Sequence, residues 1–432
     1  MSQGPSDPRI NTMLKLSMKM NINTYVRRGL LLAVAAMAAV GSAMPAYAAP
    51  RVITKAEKKS IKQAEKEKKN NLKDQKKLVK EGKKRAAVVK KELAKITPIP
   101  VPEVAVDEAE RENLEKAAEG GSTSAMVRLG HYHMQHESPG YIKKAGEYFR
   151  KASEAGSADG IVWYALHQYI TQPGEEEVAK QKCYEELKKA AAEESLIGMY
   201  LAGVMAKDKD EKAELFDKAA HAGFVPAMRM VGKRLVDEAR GTPETRHNPM
   251  PDDAIQWFEF AYRFGDDGAA IERSDTTSMH RGLNLPETDT ALAEKWLRNA
   301  LELALKRENA WFGSAFDSDY LSRNPYAWGS ARMMRLLVIY SRLARVRKFD
   351  GKSPADALRE CCNTIKKMAS EGQVDAMATA VMLSRKWSFW MSDGPNPGIL
   401  KEGDWIPKIK ELAAGGNKQA ARLIKEFNKL GK

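Results

Sequence analysis

Three histidines set close together, His131, His133 and His136 in GHYHMQHE, are the first residues with chemistry to offer. Imidazole is a good ligand for zinc and copper. In a helix, however, residues i and i+2 point to opposite sides, so His131 and His133 are badly placed to share an ion. His133 also stands where the repeating pattern of this chain wants an aromatic core residue. All three read as structural, and neither a metal nor a cofactor is expected. The cysteines are Cys183, Cys361 and Cys362. One is alone and two are adjacent, with no CxxC or zinc spacing, so they read as buried small apolar residues. Ser, His and Asp occur without a spacing that favours any trio, and GxSxG, SxxK, HExxH and P-loop patterns are missing. No catalytic residue is assigned.

What remains is binding chemistry. The stretch ENAWFGSAFDSDYLSRNPYAWG (308–329) gathers Trp311, Phe312, Phe316, Tyr320, Tyr326 and Trp328 around Arg323. A second, WSFWMSDGPNPGILKEGDW (387–405), holds Trp387, Phe389, Trp390 and Trp405. Large aromatics beside Arg are the composition of interface hot spots, and they are equally the ordinary filling of a helical core. Both readings stand. Under the first, Trp311, Phe312, Tyr320, Arg323, Tyr326, Trp328, Trp387 and Trp390 are the candidate partner contacts.

The elements that would position these residues are helices. Ala, Leu, Glu, Lys and Met abound and alternating β-branched runs are scarce, which predicts an all-α fold. A joint of the form Gly-x-x-x-Ala/Gly recurs as Gly121/Ala125, Gly156/Gly160, Gly223/Ala227, Gly265/Ala269, Gly372/Ala376 and Gly416/Ala420. Before most joints stands a helix end such as YFRKASEAG (148–156), LFDKAAHAG (215–223) or WFEFAYRFG (257–265). After several comes a helix with a small or Leu/Gly pair: AMVRLGHYH (125–133), GMYLAGVMA (198–206), AMRMVGKRL (227–235). Gly stops a helix by taking the left-handed conformation. The small residue four positions on marks where two helices cross closely, and an aromatic on the second helix is expected to fill the space between neighbouring units. Each helix pair buries one face alone, and stacking completes the core.

This pattern, AxxG…A…LG followed by Lys-Ala-x-x-aromatic-x-x-Lys-Ala-Ala, resembles the Sel1-like repeat family, relatives of tetratricopeptide repeats. The match is clearest over 117–265 and 354–425. The resemblance implies an α-solenoid of antiparallel helix pairs, a right-handed superhelix of about six or seven units over 107–432, acting as a protein-binding scaffold. Some cysteine-rich secreted members of the family are linked with β-lactam binding, but this chain lacks their paired cysteines. The loop glycines usual in the family give way to HESPG (136–140) and KDKDE (207–211).

Ahead of the repeats the chain changes character. Arg27-Arg28 precede the apolar run GLLLAVAAMAAVGSAMP, and Ala46-Tyr47-Ala48 supplies a small-x-small cleavage pattern between Ala48 and Ala49. This describes a secretory signal peptide over 1–48, with the start at Met1 or at Met13, Met18 or Met20. A retained signal anchor and a twin-arginine signal are the alternatives, and export points to the periplasm or the exterior of a bacterium. Residues 51–95 hold 18 Lys/Arg against six Asp/Glu, whereas residues 96–432 hold 48 basic against 50 acidic side chains. The basic character of the chain is therefore local, in an arm over 49–96 that reads as partly helical, with a weak coiled-coil seam through Leu72, Val79, Ala86 and Leu93. Thr97-Pro98-Ile99-Pro100-Val101-Pro102 follows as an extended Pro-rich linker over 97–106.

Three functions are compatible with this sequence. The first is a non-enzymatic adaptor for envelope proteins or peptides. The second is a tether whose arm, residues 51–95, binds an anionic polymer or lipid surface. The third is an enzyme acting on cell-wall material. Nucleic acid fits least, since the arm has no aromatics to stack on bases.

Overall fold

A computed structural model describes residues 80–99, 108–135, 141–171, 176–242, 250–274, 289–306, 330–385 and 394–417, with single positions outside these runs. The signal segment, the first part of the arm and residues 307–329 lie outside the described residues. The chain divides into two compact units, Met1–Gln75 and Lys76–Lys432, and the second holds every helix from residue 80 onward.

Among its described residues that unit is all-α. Residues 80–93 form α1. The helices α2 (Glu108–Glu119), α3 (Thr123–Gln135), α4 (Tyr141–Glu154), α5 (Ala158–Thr171), α6 (Glu176–Ala192), α7 (Leu196–Met205), α8 (Lys209–His221) and α9 (Val225–Arg240) come next. The series continues with α10 (Asp252–Arg263), α11 (Asp267–Arg273), α12 (Thr290–Lys306), α13 (Ser330–Phe349), α14 (Ala355–Ser370), α15 (Val374–Arg385) and α16 (Glu402–Ala414). Among the described residues there is no strand, only an isolated parallel bridge between Ile99 and Phe224. From α2 onward each helix packs mainly against those before and after it in sequence, which is the contact pattern of a solenoid. Pairs run α2/α3, α4/α5 and so on to α14/α15, and α16 with the joint at Gly416 opens one more.

The described joints within pairs share one hydrogen-bond motif. At the Gly223 joint, Gly223 N donates to Ala220 O (3.0 Å) and Phe224 N to Ala219 O (2.9 Å), closing α8 with a residue at φ 103°. This is a Schellman cap, which satisfies carbonyls that the helix itself leaves without donors. Gly121, Gly156, Gly265, Gly372 and Gly416 do the same. So does Glu194 at φ 64°, which closes α6 although it is not glycine, and Gly198 four residues on lets α7 approach the backbone of Ala190 and Ala191. Gly351 closes α13 in the same manner, between pairs rather than within one.

The small residues expected at the crossings are where the joints need them. Ala125 is 3% exposed, and Ala227, Ala269, Ala376 and Ala420 have no exposed surface. Gly160 sits closest of all, because a Cβ there would stand 2.6 Å from the backbone of Ala152 and Ser153 on the helix before it. Side chains so enclosed hold the pairs together and present nothing to a partner. Their role in this fold is packing.

The residue after the left-handed position then caps the next helix. Ser122, Ser157, Ser195, Asp266 and Asn417 each accept from the backbone N–H three residues on, through their side-chain oxygens. In all five the donor is the crossing residue itself: Ala125, Gly160, Gly198, Ala269 or Ala420. At the Gly372 joint the cap is Gln373, and the N–H of Ala376 is met by Asp375 Oδ1 at 2.9 Å. Phe224 has no such oxygen, and its ring is buried in the core instead.

Packing between pairs departs from the expectation in one respect. Second-helix rings do pack against the following pair, as Tyr200 does on Phe216 and Phe224 with centroids 5.6 and 5.7 Å away, but the aromatic seated over the small residue of the preceding pair belongs to the first helix of the following one. Phe149, Phe216 and Phe258 lie over Gly130, Gly203 and Gly232 of the preceding helix. A Cβ would stand 2.9 Å from the Phe216 ring at Gly203 and 2.7 Å from the Phe258 ring at Gly232. The register is constant: each glycine comes nine residues after a joint and each Phe seven before the next. At the one remaining step of this run the same positions carry Ala165 and Leu187, both buried, so a slightly larger seat goes with a slimmer plug.

The cores of the unit meet at a buried ionic cluster. Leu114, Ala118, Ala125, Leu129 and Tyr132 form a small apolar cluster in α2 and α3, while one large cluster runs from Leu93 to Ala269 and another from Ala270 to Phe427. Between them Arg229 Nε donates to Asp266 Oδ2 at 3.1 Å, and Arg335 lies 3.5 Å from Asp267. Gly268 fits beneath both guanidinium groups, its missing Cβ 2.9 Å from Arg229 Nε and 3.0 Å from Arg335.

Candidate interaction surface

Among the described residues, the histidines and cysteines singled out for chemistry sit in the interior. His131 is buried between the rings of Phe149 and Trp163, with centroids 5.2 and 4.4 Å away, and desolvation lowers its pKa to about 3. It is a neutral aromatic wedge. His133 stacks on Tyr148 at 5.5 Å, while His136 lies outside the described residues. His167 is held by Ile142 O, 2.8 Å from Nε2, so that Nε2 carries the proton, and burial lowers its pKa too. Cys183, Cys361 and Cys362 are free and buried, and burial pushes the Cys183 thiol up to about 12 and Cys362 to about 11. A thiol so desolvated is a poor nucleophile. Among the described residues no group of three His, Cys, Asp or Glu side chains is placed to hold a metal.

Of the candidate partner contacts, Trp311, Phe312, Tyr320, Arg323, Tyr326, Trp328 and Trp390 lie outside the described residues. Trp387 is core: it is 8% exposed, belongs to the second apolar cluster and donates from Nε1 to Gly394 O at 2.9 Å. Its neighbour in the same stretch, Trp405, is also buried. A Trp whose ring is packed and whose N–H is satisfied offers a partner little. On the surface of α14 a shallow hollow of about 470 Å³ is lined by Asp356, Arg359, Glu360, Asn363, Thr364 and Lys367, all from that one helix.

The surface that holds something is the flank of α8, α9 and α10, and what it holds is the end of the basic arm. Helix α1 keeps its lysines outward, with Lys80, Lys83, Lys84, Lys90 and Lys91 exposed. Its inner side rests on the repeats through Leu93, 4% exposed, with Val89 and Ile96 packed beside it. Arg85 Nε donates to Asp253 Oδ2 at 2.8 Å, and Asp253 is itself 5% exposed at the start of α10. A buried carboxylate needs such a partner. Beyond α1, Ile99 N donates to Gly223 O (2.8 Å) and Val225 N donates to Ile99 O (3.2 Å). Ile99 thus takes up one of the N-terminal donors of α9 at the joint where Phe224 brings no capping side chain. The sequence carried a sign of this: the residue after the left-handed position is Phe at this joint, where Ser, Asp or Asn stands at five others.

Gly223 is shaped for the contact. Any Cβ there would collide with the Thr97 carbonyl oxygen, whereas at Gly121, Gly156, Gly372 and Gly416 nothing lies within 4 Å of that position.

No family model matches the chain, and no curated protein matches it. Solved structures do. A protective antigen present in uropathogenic Escherichia coli strains, displaying an SLR fold, is similar with 23% identity and a TM-score of 0.33, over 76% of this chain and 68% of that one. A Sel1 repeat protein from Oxalobacter formigenes is similar with 16% identity and a TM-score of 0.36, over 66% of this chain and 99% of that one. With its glycine-closed joints, glycine seats and aromatic plugs, the chain is an all-α stack of helix pairs similar to the Sel1-like repeat proteins.

Proposed function

We propose that the chain is a non-enzymatic scaffold that binds polypeptide partners in the bacterial envelope. The observation that carries this reading is the way the stack treats polypeptide already. Each pair packs mainly against its sequence neighbours, which leaves helix flanks available along the stack, and one flank holds residues 80–99 by side-chain and main-chain contacts together. Repeat proteins of this build put their inserted loops on one face, and we read residues 308–329, which come between α12 and α13 in the sequence, as such an insertion. The envelope setting rests on the signal pattern of residues 1–48. Affinity capture from bacterial envelope extract tests the reading. The full mature chain should retain a defined polypeptide, and Trp311→Ala with Trp328→Ala should weaken its capture while helical circular dichroism stays unchanged. Retention of no polypeptide by a folded chain would end the scaffold reading.

A tether is the second reading, favoured by the exposed lysines of α1. Binding through them to an anionic polymer should collapse between about 50 and 300 mM salt, because exposed charges are screened over a Debye length that shortens to below about 8 Å. Affinity that survives the higher salt would remove it.

A further inference from the structure

The docked end of the arm is thinly anchored for a piece of a core. Among its described residues it contributes one buried apolar side chain, Leu93 at 4% exposed, and one ion pair to the repeats, whose arginine is 59% exposed. Val89 and Ile96 pack partly buried beside Leu93, Gly82 is buried close to Asp252, and two main-chain hydrogen bonds are exchanged at Ile99. The anchor points lie at opposite ends of α9, because α9 leads from the Phe224 joint to the turn before Asp253. A helix of 16 residues is about 24 Å long. From Arg85 to Leu93 a helix covers about 12 Å, and six extended residues add up to about 20 Å, so the segment has the reach to run along that flank. These are contacts of the kind by which one polypeptide recognises another: a charge pair, an apolar anchor and main-chain pairing at an open edge.

We infer that the flank of α8–α10 is a recognition site for a basic polypeptide segment, and that residues 80–99 are its resident occupant. The proposal rests on the scaffold reading and gives it a place and a chemistry. The ligand is a short helix with an arginine facing Asp253 and a large aliphatic residue eight positions later. Six residues beyond comes an extended residue whose own N–H and C=O meet Gly223 and Val225. A partner protein carrying such a segment competes with the arm. Tethering raises the arm's effective concentration to the millimolar range, so the partner must bind more tightly than the arm or meet it released.

The test uses the full chain with residues 101–106 replaced by a site for a specific protease. The probe is a fluorescent synthetic peptide of residues 76–100, read by anisotropy at 150 mM salt. Expected is saturable binding to the cut chain after exchange, and at least tenfold weaker binding to the uncut chain, whose arm competes. Asp253→Lys should weaken the peptide at least tenfold, and a peptide with Arg85→Glu should recover part of that loss. Two altered peptides, Leu93→Ala and one N-methylated at Ile99, leave the protein untouched and should each bind at least fivefold more weakly. If the cut chain never exchanges its own segment for excess peptide, the arm is a fixed part of the fold and the proposal is overturned. Binding indifferent to Asp253→Lys and to both altered peptides overturns it equally. Either failure leaves capture by the 308–329 insertion standing, and loss of all capture by a folded chain would strike the scaffold reading instead.

Discussion

Gly223→Ala and Gly156→Ala form a pair of substitutions that isolates the docking of the arm. Both glycines close a first helix with positive φ, 103° and 80°, so alanine at either position pays the cost of a left-handed L-residue, about 1–2 kcal/mol. There the likeness ends. Nothing lies within 4 Å of a Cβ at Gly156, whereas at Gly223 the Cβ collides with the Thr97 carbonyl. Residues 97–99 must then lift away, and the two hydrogen bonds between Ile99 and the joint are lost. At about 0.5–1.5 kcal/mol each, they set the excess cost at about 1–3 kcal/mol, with the regained freedom of the segment offsetting part of it. Gly156→Ala should therefore destabilise by about 1–2 kcal/mol and Gly223→Ala by about 2–4 kcal/mol. A long repeat array need not unfold in one step, so the decisive assay is local. Amide exchange at Ile99 and Val225 should quicken by about 10- to 100-fold in Gly223→Ala and stay unchanged in Gly156→Ala. Equal destabilisation by the two, with Val225 still protected in both, would refute the reasoning.

Other expectations follow from the packing and the buried histidines. Ala227→Leu, at a position with no exposed surface, should overpack its joint by about 1–3 kcal/mol, read as a lower urea midpoint with an unchanged slope. Gly232→Ala should crowd the Phe258 ring, and adding Phe258→Leu should recover part of the loss; strict additivity of the two would count against the seat-and-plug description. His131 has its folded pKa depressed to about 3, below the unfolded value near 6.5, so the unfolded state binds the extra proton between these limits. Stability from this site is complete above pH 6.5 and falls by about 1.4 kcal/mol for each unit below it, or about 2 kcal/mol at pH 5. His131→Leu should flatten that slope in urea titrations at pH 7 and pH 5, and an unchanged slope would show that other groups carry it.

Much of the scaffold is written in residue types because its constraints act on side chains. A position that must take positive φ favours glycine, and a joint that two helices cross demands a small residue, so Gly223 and Ala227 are visible in the sequence, as are Ala125, Gly160, Ala376 and Ala420 at their own joints. Glu194 is not, since nothing in a glutamate announces a left-handed backbone; only the SLIG that follows, with Ser195 as cap and Gly198 as crossing point, betrays the joint. The seat-and-plug contacts were half legible. The glycines and aromatics are plain, but which helix offers the aromatic depends on the stacking of one pair on the next. Trp387 shows the opposite limit, because composition alone does not separate a hot spot from a core residue, and only its burial and its bond to Gly394 decide. The arm was the hardest to read. Its tail docks through main-chain groups, which every residue carries, and its one buried anchor, Leu93, sits among lysines that suggest a solvated spacer.

The ionic cluster of Arg229, Asp266, Asp267 and Arg335 has a further consequence. Apolar contacts propagate order from pair to pair, and a stack whose core ran without interruption would melt or fray as one spreading front. Here the two large apolar clusters change over at Ala269–Ala270, with Tyr262 packed against both, and the joint between them also carries charges that must leave water together and return to it together. That joint is a firebreak. Disorder begun at the last pairs should halt at α11, leaving the helices before it with the arm still seated on them, and the stack should come apart in more than one step.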